Sequence, residues 1–221
     1  SLTYWAGNGK FITSDGGAGT LAIFVDPSTG VVTNPSISWN NNIADATKAS
    51  DGNVYYANSA GFELYRLDNA DTGANTLINT LPDAYGPGAS IVTMNNGQSY
   101  YVGGGGSPGG AKIYPIDCTT GVTGSPVTLT GAGYSGQGIR SMANYNDTIY
   151  AIDITGVAGS GRLITINPIS GVCTLIGGSG TWYSLDTIPD PVFGPTTTTT
   201  TAGPTTTDRK STRLNSSHLV I

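Results

Sequence analysis

Apolar residues in this chain come in short bursts, β-branched or aromatic, divided by clusters of Gly, Asn, Asp and Ser. Four segments share one plan: a turn, a short strand, a Gly-rich loop, a strand ending in Asp or Asn, a second turn closed by Gly, and a further strand. The first turns are Asn8-Gly9, Asp51-Gly52, Asn96-Gly97 and Asn146-Asp147, with their second residues 43, 45 and 50 apart. Such pairs supply the positive φ angles of a two-residue hairpin. The second turns run Asp26 to Gly30, Asp68 to Gly73, Asp117 to Gly121 and Asn167 to Gly171, with their glycines 43, 48 and 50 apart. There an Asx side chain can bond the backbone two residues on while Gly takes the left-handed conformation. Between the turns the strands align: Val54, Tyr55 and Tyr56 with Ser99, Tyr100 and Tyr101 and with Ile149, Tyr150 and Ala151. Each repeat supplies four strands, a to d.

A four-stranded antiparallel unit at this period predicts an all-β fold, a β-propeller, in which each blade buries its faces against its neighbours. The segments LYRLDNADTG, IYPIDCTTG and LITINPISG resemble blades of the YVTN, NHL and quinoprotein-like propellers. The resemblance covers residues 1 to about 190. It implies an architecture and no active-site residues, since no catalytic or cofactor motif of those families is matched. The expected organisation is a propeller over 1–194, with repeats of about 1–43, 44–89, 90–138 and 139–181 and a closing strand at 182–188. Two ring sizes fit: a closed four-bladed ring in which 182–188 replaces or adds to Leu2–Trp5, or an N-terminally truncated piece of a ring of about six to eight blades.

From Pro195 the composition changes to Thr196–Thr201 and Thr205–Thr207 around Ala202, Gly203 and Pro204. Residues 195–207 read as an extended Thr/Pro/Gly linker to a further domain, because they offer no apolar face to bury. Residues 208–221 read as an artefact, since Asp208 to His218 matches one reading frame of a sequencing adapter.

The chain carries nine basic and 14 acidic residues, a net charge of −5. Without Asp208, Arg209, Lys210 and Arg213, six basic and 13 acidic residues remain. A body that acidic repels phosphate backbones, so no nucleic-acid partner is expected. No apolar run is long enough for membrane insertion by a helix. The single histidine, His218, lies in the tail, which excludes Ser-His-Asp and Cys-His machinery, His-ligated zinc and HExxH from the body. Glu63 is the only glutamate, and many aspartates are assigned to turns. Asp45, Asp83, Asp153, Asp186 and Asp190 are left over and read as solvated loop acids. No catalytic residue, metal site or cofactor is expected. Cys118 and Cys173 sit at c-to-d turns of adjacent blades and read as free thiols unless the geometry brings them together.

The b-to-c and d-to-a loops share one face of the ring, where function usually resides. The d-to-a loops carry one aromatic each, Trp39, Tyr85, Tyr134 and Trp182, at spacings of 46, 49 and 48. Two readings stand for this series. It forms a stacking platform for sugars, with Gln137 and Arg140 among its hydrogen-bond partners, or its rings plug the gaps between blades. The expected function is an extracellular or surface-displayed binding or scaffolding module for a glycan or a cell-surface protein. The alternatives are a propeller enzyme of lyase, lactonase or glycosidase type and a purely structural surface or virion protein.

Overall fold

The fold comes from a computed structural model that describes residues 2–5, 9–14, 22–34, 37, 43–58, 62–83, 89–105, 110–155, 160–180 and 185. Every regular element among them is a strand. In chain order they are β1 (Leu2–Trp5), β2 (Lys10–Ser14), β3 (Ala22–Val25), β4 (Val32–Thr33), β5 (Ile43–Lys48), β6 (Val54–Asn58), β7 (Glu63–Asn69), β8 (Ala74–Thr80), β9 (Ser90–Thr93), β10 (Ser99–Gly103), β11 (Lys112–Ile116), β12 (Val127–Thr128), β13 (Ile139–Tyr145), β14 (Thr148–Ile154), β15 (Gly161–Ile166) and β16 (Cys173–Gly180). They form four antiparallel meanders, β1 to β4, β5 to β8, β9 to β12 and β13 to β16. The innermost strands touch in series, β1 on β5, β5 on β9 and β9 on β13. This is a four-bladed β-propeller, with Leu2–Trp5 as the innermost strand of its first blade.

Each blade is buried on both faces, which explains why its b strand is a continuous apolar run instead of an alternation. In β6, Val54 and Tyr56 join Ile12 and Phe24 of the first blade, whereas Tyr55 and Ala57 join Ile91, Tyr101 and Ile116 of the third. The same division recurs one blade on, where Val102 and Ile113 meet Ile149, Ala151 and Ile164. Tyr56 stacks on Tyr65 with centroids 5.3 Å apart and planes 12° from parallel. Cys118 and Cys173 are free and buried in different inter-blade cores. Burial pushes each thiol up to about 11.

The turn chemistry differs from expectation at two points. In blades two and three only the glycine of the first turn has positive φ, +85° at Gly52 and +86° at Gly97. The Gly52 amide donates to the Ala49 carbonyl at 3.0 Å, and the Ala49 amide donates to the Asn53 carbonyl at 2.9 Å. That is a three-residue loop ending in a left-handed bulge residue, so one glycine suffices. At Asn146 and Asp147 both residues have positive φ, as a two-residue hairpin requires. The second point is the c-to-d turn of blade two. Its acceptor is Asn69, whose Oδ1 takes the amides of Asp71 at 2.8 Å and Thr72 at 3.2 Å. Asp68, the residue expected there, instead pairs with Arg66 at 2.7 Å.

The closing glycines have a second duty. A Cβ on Gly171 would lie 2.1 Å from the Thr128 carbonyl oxygen of the preceding blade, and one on Gly121 would lie 2.3 Å from Cβ of Asn79. The outermost strand of one blade therefore rests on the turn glycine of the next. At the third junction a parallel bridge between Thr130 and Val172 completes the contact.

At the axis, Asp45 is fully buried. Its Oδ2 accepts the Met142 amide at 3.0 Å, the Ile91 amide at 3.4 Å and the Ser90 hydroxyl, and its Oδ1 accepts the Ser141 hydroxyl at 3.4 Å. One carboxylate of β5 thus ties β9 and β13. Its expected place among solvated loop acids is wrong, because four donors converge on it in place of water. Ser90, Asp45 and Ser141 hold the same register position, facing Val102, Ala57 and Ile152 in their own sheets.

Two stability measurements check this account. Asp45→Ala leaves amide and hydroxyl donors buried without an acceptor, and the urea midpoint should fall by the equivalent of about 3 kcal/mol or more, with Asp45→Asn in between. Gly30→Ala should cost about 1 kcal/mol for its left-handed backbone alone, since nothing lies within 4 Å of the added Cβ. Gly171→Ala has nearly the same φ, +72° against +69°, and should cost clearly more, about 3 kcal/mol, because of the Thr128 carbonyl. Equal losses for the two glycines would mean that the inter-blade contact contributes nothing.

Candidate functional site

The two faces of the ring are built differently. One carries the short a-to-b and c-to-d turns. The other carries the b-to-c and d-to-a connections, and at its described roots charged side chains recur at one position, the opening of strand c: Glu63, Lys112 and Arg162.

In the fourth blade, Arg162 faces Asp153 across the β14–β15 pair. Its Nε and Nη2 donate to Asp153 Oδ2 at 3.0 and 2.5 Å, and Nη2 also donates to the Gly133 carbonyl at 3.0 Å. The Asp153 side chain has no exposed surface. Its remaining acceptor capacity takes the Ser135 amide at 3.0 Å and the Ser135 hydroxyl at 2.6 Å. This buried pair is therefore satisfied on both sides, the condition under which such a charge is tolerated. Asp153 is the second correction to the reading of solvated loop acids. The pair fixes the d-to-a loop that contains Gly133 and Ser135 to the root of the neighbouring b-to-c loop.

In the third blade, Lys112 Nζ donates to Asp83 Oδ2 at 2.7 Å, and the Tyr114 hydroxyl donates to the same oxygen. The Lys112 bond, then the Tyr114 bond, hold the Asp83 carboxyl below the usual range. Burial, then Asp83, push the Tyr114 phenol upward. In the second blade, Glu63 Oε2 accepts the Tyr65 hydroxyl at 2.8 Å and the Asn58 side-chain amide at 3.1 Å. Every cluster joins a loop root to the sheet beneath it.

Of the expected aromatic series, Trp39, Tyr85 and Trp182 lie outside the described residues, as do Asp186 and Asp190. Tyr134 is half-buried against the core between blades three and four. Its hydroxyl accepts the Ala111 amide at 3.0 Å. Burial raises its phenol pKa. Gln137 is exposed, and its amide donates to the Ser135 hydroxyl at 3.1 Å. A Cβ on Gly105 would lie 2.9 Å from the Gln137 carbonyl oxygen, so the b-to-c loop of blade three meets the d-to-a loop at this point. Arg140 is half-buried in β13, at the bulge between Ile139 and Ser141. Tyr134, Gln137 and Arg140 thus belong to one connection, from the inter-blade core to the axis. Leu185 is buried beside Ala143 and Ile152, and its amide donates to the Ser141 hydroxyl at 3.1 Å.

The ionic roots were absent from the sequence-derived site. A signal existed, since Glu63, Lys112 and Arg162 keep the repeat spacing. Their partners are invisible without the strand register that puts Asp153 opposite Arg162.

No protein-family model and no curated protein matches the chain. Solved structures match its fold. A chain of a nidogen/laminin complex superposes with a TM-score of 0.58 at 12% identity, over 86% of this chain and 68% of that one. An α-L-arabinofuranosidase from Clostridium thermocellum does so with 0.57 at 15%, over 80% and 70%. Hydrazine synthase from Kuenenia stuttgartiensis gives 0.51 at 17%, over 84% of this chain but only 49% of that one. The chain therefore spans between half and somewhat over two thirds of these proteins. At such identities the likeness carries the β-propeller fold and nothing finer.

Proposed function

We propose that the chain is an extracellular or surface-displayed binding module whose ligand face is the one formed by the b-to-c and d-to-a loops. The observation that carries this reading is the anchoring of that face: in three blades a charged side chain opening strand c is locked by a partner at the loop root. Connections of different length then stand on roots that do not move, which is how a repeat frame presents a specific surface. Rigid presentation lowers the ordering cost of binding.

The ligand in this reading is a glycan or a glycan-bearing cell-surface protein, taken by Trp39, Tyr85, Tyr134 and Trp182 as stacking groups with Gln137 and Arg140 at the edge. Tyr134 suits the role because its hydroxyl is already engaged by Ala111, so its ring orientation is set before any ligand arrives. Among the structural matches, the nidogen chain sits in a complex with laminin and the arabinofuranosidase is named for a sugar substrate. Both uses of a propeller agree with this proposal. The Thr/Pro/Gly stretch at 195–207 would then hold the module away from whatever bears it.

A broad glycan array probed with the full chain tests the reading, beside a variant with Trp39, Tyr85, Tyr134 and Trp182 all changed to Ala. The expected result is binding by the parent and a loss of at least about tenfold in the variant, with the far-ultraviolet circular dichroism of the two proteins alike. Tyr134→Phe should keep most of the binding. A parent that binds no glycan would sink the sugar reading, and bond cleavage in place of retention would move the chain to the enzyme class.

A further inference from the structure

The turn face, opposite the proposed glycan surface, carries two cavities that join. The first, of about 420 Å³, opens at the axis, and its lining includes the Thr47 and Thr93 hydroxyls and the buried side chains of Ile91 and Met142. Lys48 is its one charged lining residue. The second, of about 360 Å³, lies between blades two and three, and its charged lining residues are Asp51 and Asp117. Ala49, Ser50 and Gly97 line both, so the two form one groove that runs outward from the axis.

The charges along this groove are arranged by sign. Among the described residues Lys48 makes no ion pair, whereas Arg66, Lys112 and Arg162 are each paired with an aspartate. At the outer end, Asp51 and Asp117 belong to turns and stay ionised. Burial works against the Asp51 carboxylate, but the Tyr55 hydroxyl at 2.7 Å and the Asn53 side chain at 2.8 Å bring its pKa below the ordinary value. The Thr119 hydroxyl at 2.7 Å does the same for Asp117. No aromatic ring lines either cavity, so a sugar finds no stacking surface here. Hydroxyls and the Gln98 amide suit a backbone instead. A free amino acid holds its two charges on neighbouring atoms and cannot reach both cavities.

We infer that this groove binds a short unblocked peptide, its C-terminal carboxylate at Lys48 and its N-terminal ammonium at Asp51 and Asp117. Attraction at the two ends fixes direction, and the absence of deep side-chain pockets leaves sequence preference weak. The site is independent of the glycan face and does not rest on it.

The test is calorimetric titration of the full chain at low ionic strength with a Gly-Ser-Gly-Ser tetrapeptide in four forms: free, N-acetylated, C-amidated and blocked at both ends. The free peptide should bind at least tenfold more tightly than either singly blocked form. Lys48→Gln should abolish the preference for a free C-terminus and keep that for a free N-terminus. Asp51→Asn with Asp117→Asn should do the reverse. These two substitutions are ones the repeat already makes, since Asn96 and Asn167 stand at the equivalent turn positions, so the variant keeps its turns. The variant lacking the four aromatics of the glycan face should bind the peptide like the parent, which separates the two readings. Equal affinity for all four forms, no binding at millimolar peptide, or an unchanged end preference in the charge variants would overturn the proposal.

Discussion

Four blades meeting at one axis bring their innermost strands so close that β5 touches both β9 and β13. Backbone amides at such a point must find partners within the protein, because water does not reach them. Asp45 supplies the acceptor for two of them and for two serine hydroxyls. The repeat breaks its own symmetry to do this. Three carboxylates at the equivalent positions would repel one another in a buried space, whereas one carboxylate among hydroxyl donors is neutralised by hydrogen bonds. The Asp45, Ser90 and Ser141 set is therefore a condition of ring closure that no single blade reveals.

Outward from the axis the constraint changes from charge to shape. Blades diverge with radius, and large residues fill the gap: Tyr55, Tyr56 and Tyr101 are among the most deeply buried side chains. Further out the gap closes on backbone, with the outer strand of one blade against the turn glycine of the next. The c-to-d glycine is selected twice, once for its left-handed φ and once for lacking a Cβ. Gly30 answers only to the first demand.

The two faces then acquire different chemistry from the same repeat. Turns need Asx residues, and two of these, Asp51 and Asp117, leave negative charge along a groove whose inner end holds Lys48. Loop roots need anchors, and Glu63, Lys112 and Arg162 find a different partner in each blade. An acid at one blade and a base at the next show that this register position conserves anchoring across the repeats and not a sign of charge.

Much of the fold was legible in the chain because turn residues and strand patterns act locally. An Asx acceptor meets amides two and three residues on, and a glycine adopts its φ wherever it stands, so the period of the turns reports the period of the blades. Even the misassigned turn at Asp68 failed by one residue, where Asn69 offered the same chemistry. The candidate site was legible only in outline. Tyr134, Gln137 and Arg140 were marked from their spacing, but spacing is silent on whether a ring faces solvent or a neighbouring blade. Asp45 and Asp153 looked like surplus surface acids, since a sequence does not show donors that arrive from residues 45 to 97 positions away. The sequence by itself determined the strands, the turns and the number of repeats, all properties of residues within a few positions of one another. Only the tertiary structure decided which acids are buried, which cations are paired and where the cavities open, because each depends on how neighbouring blades meet.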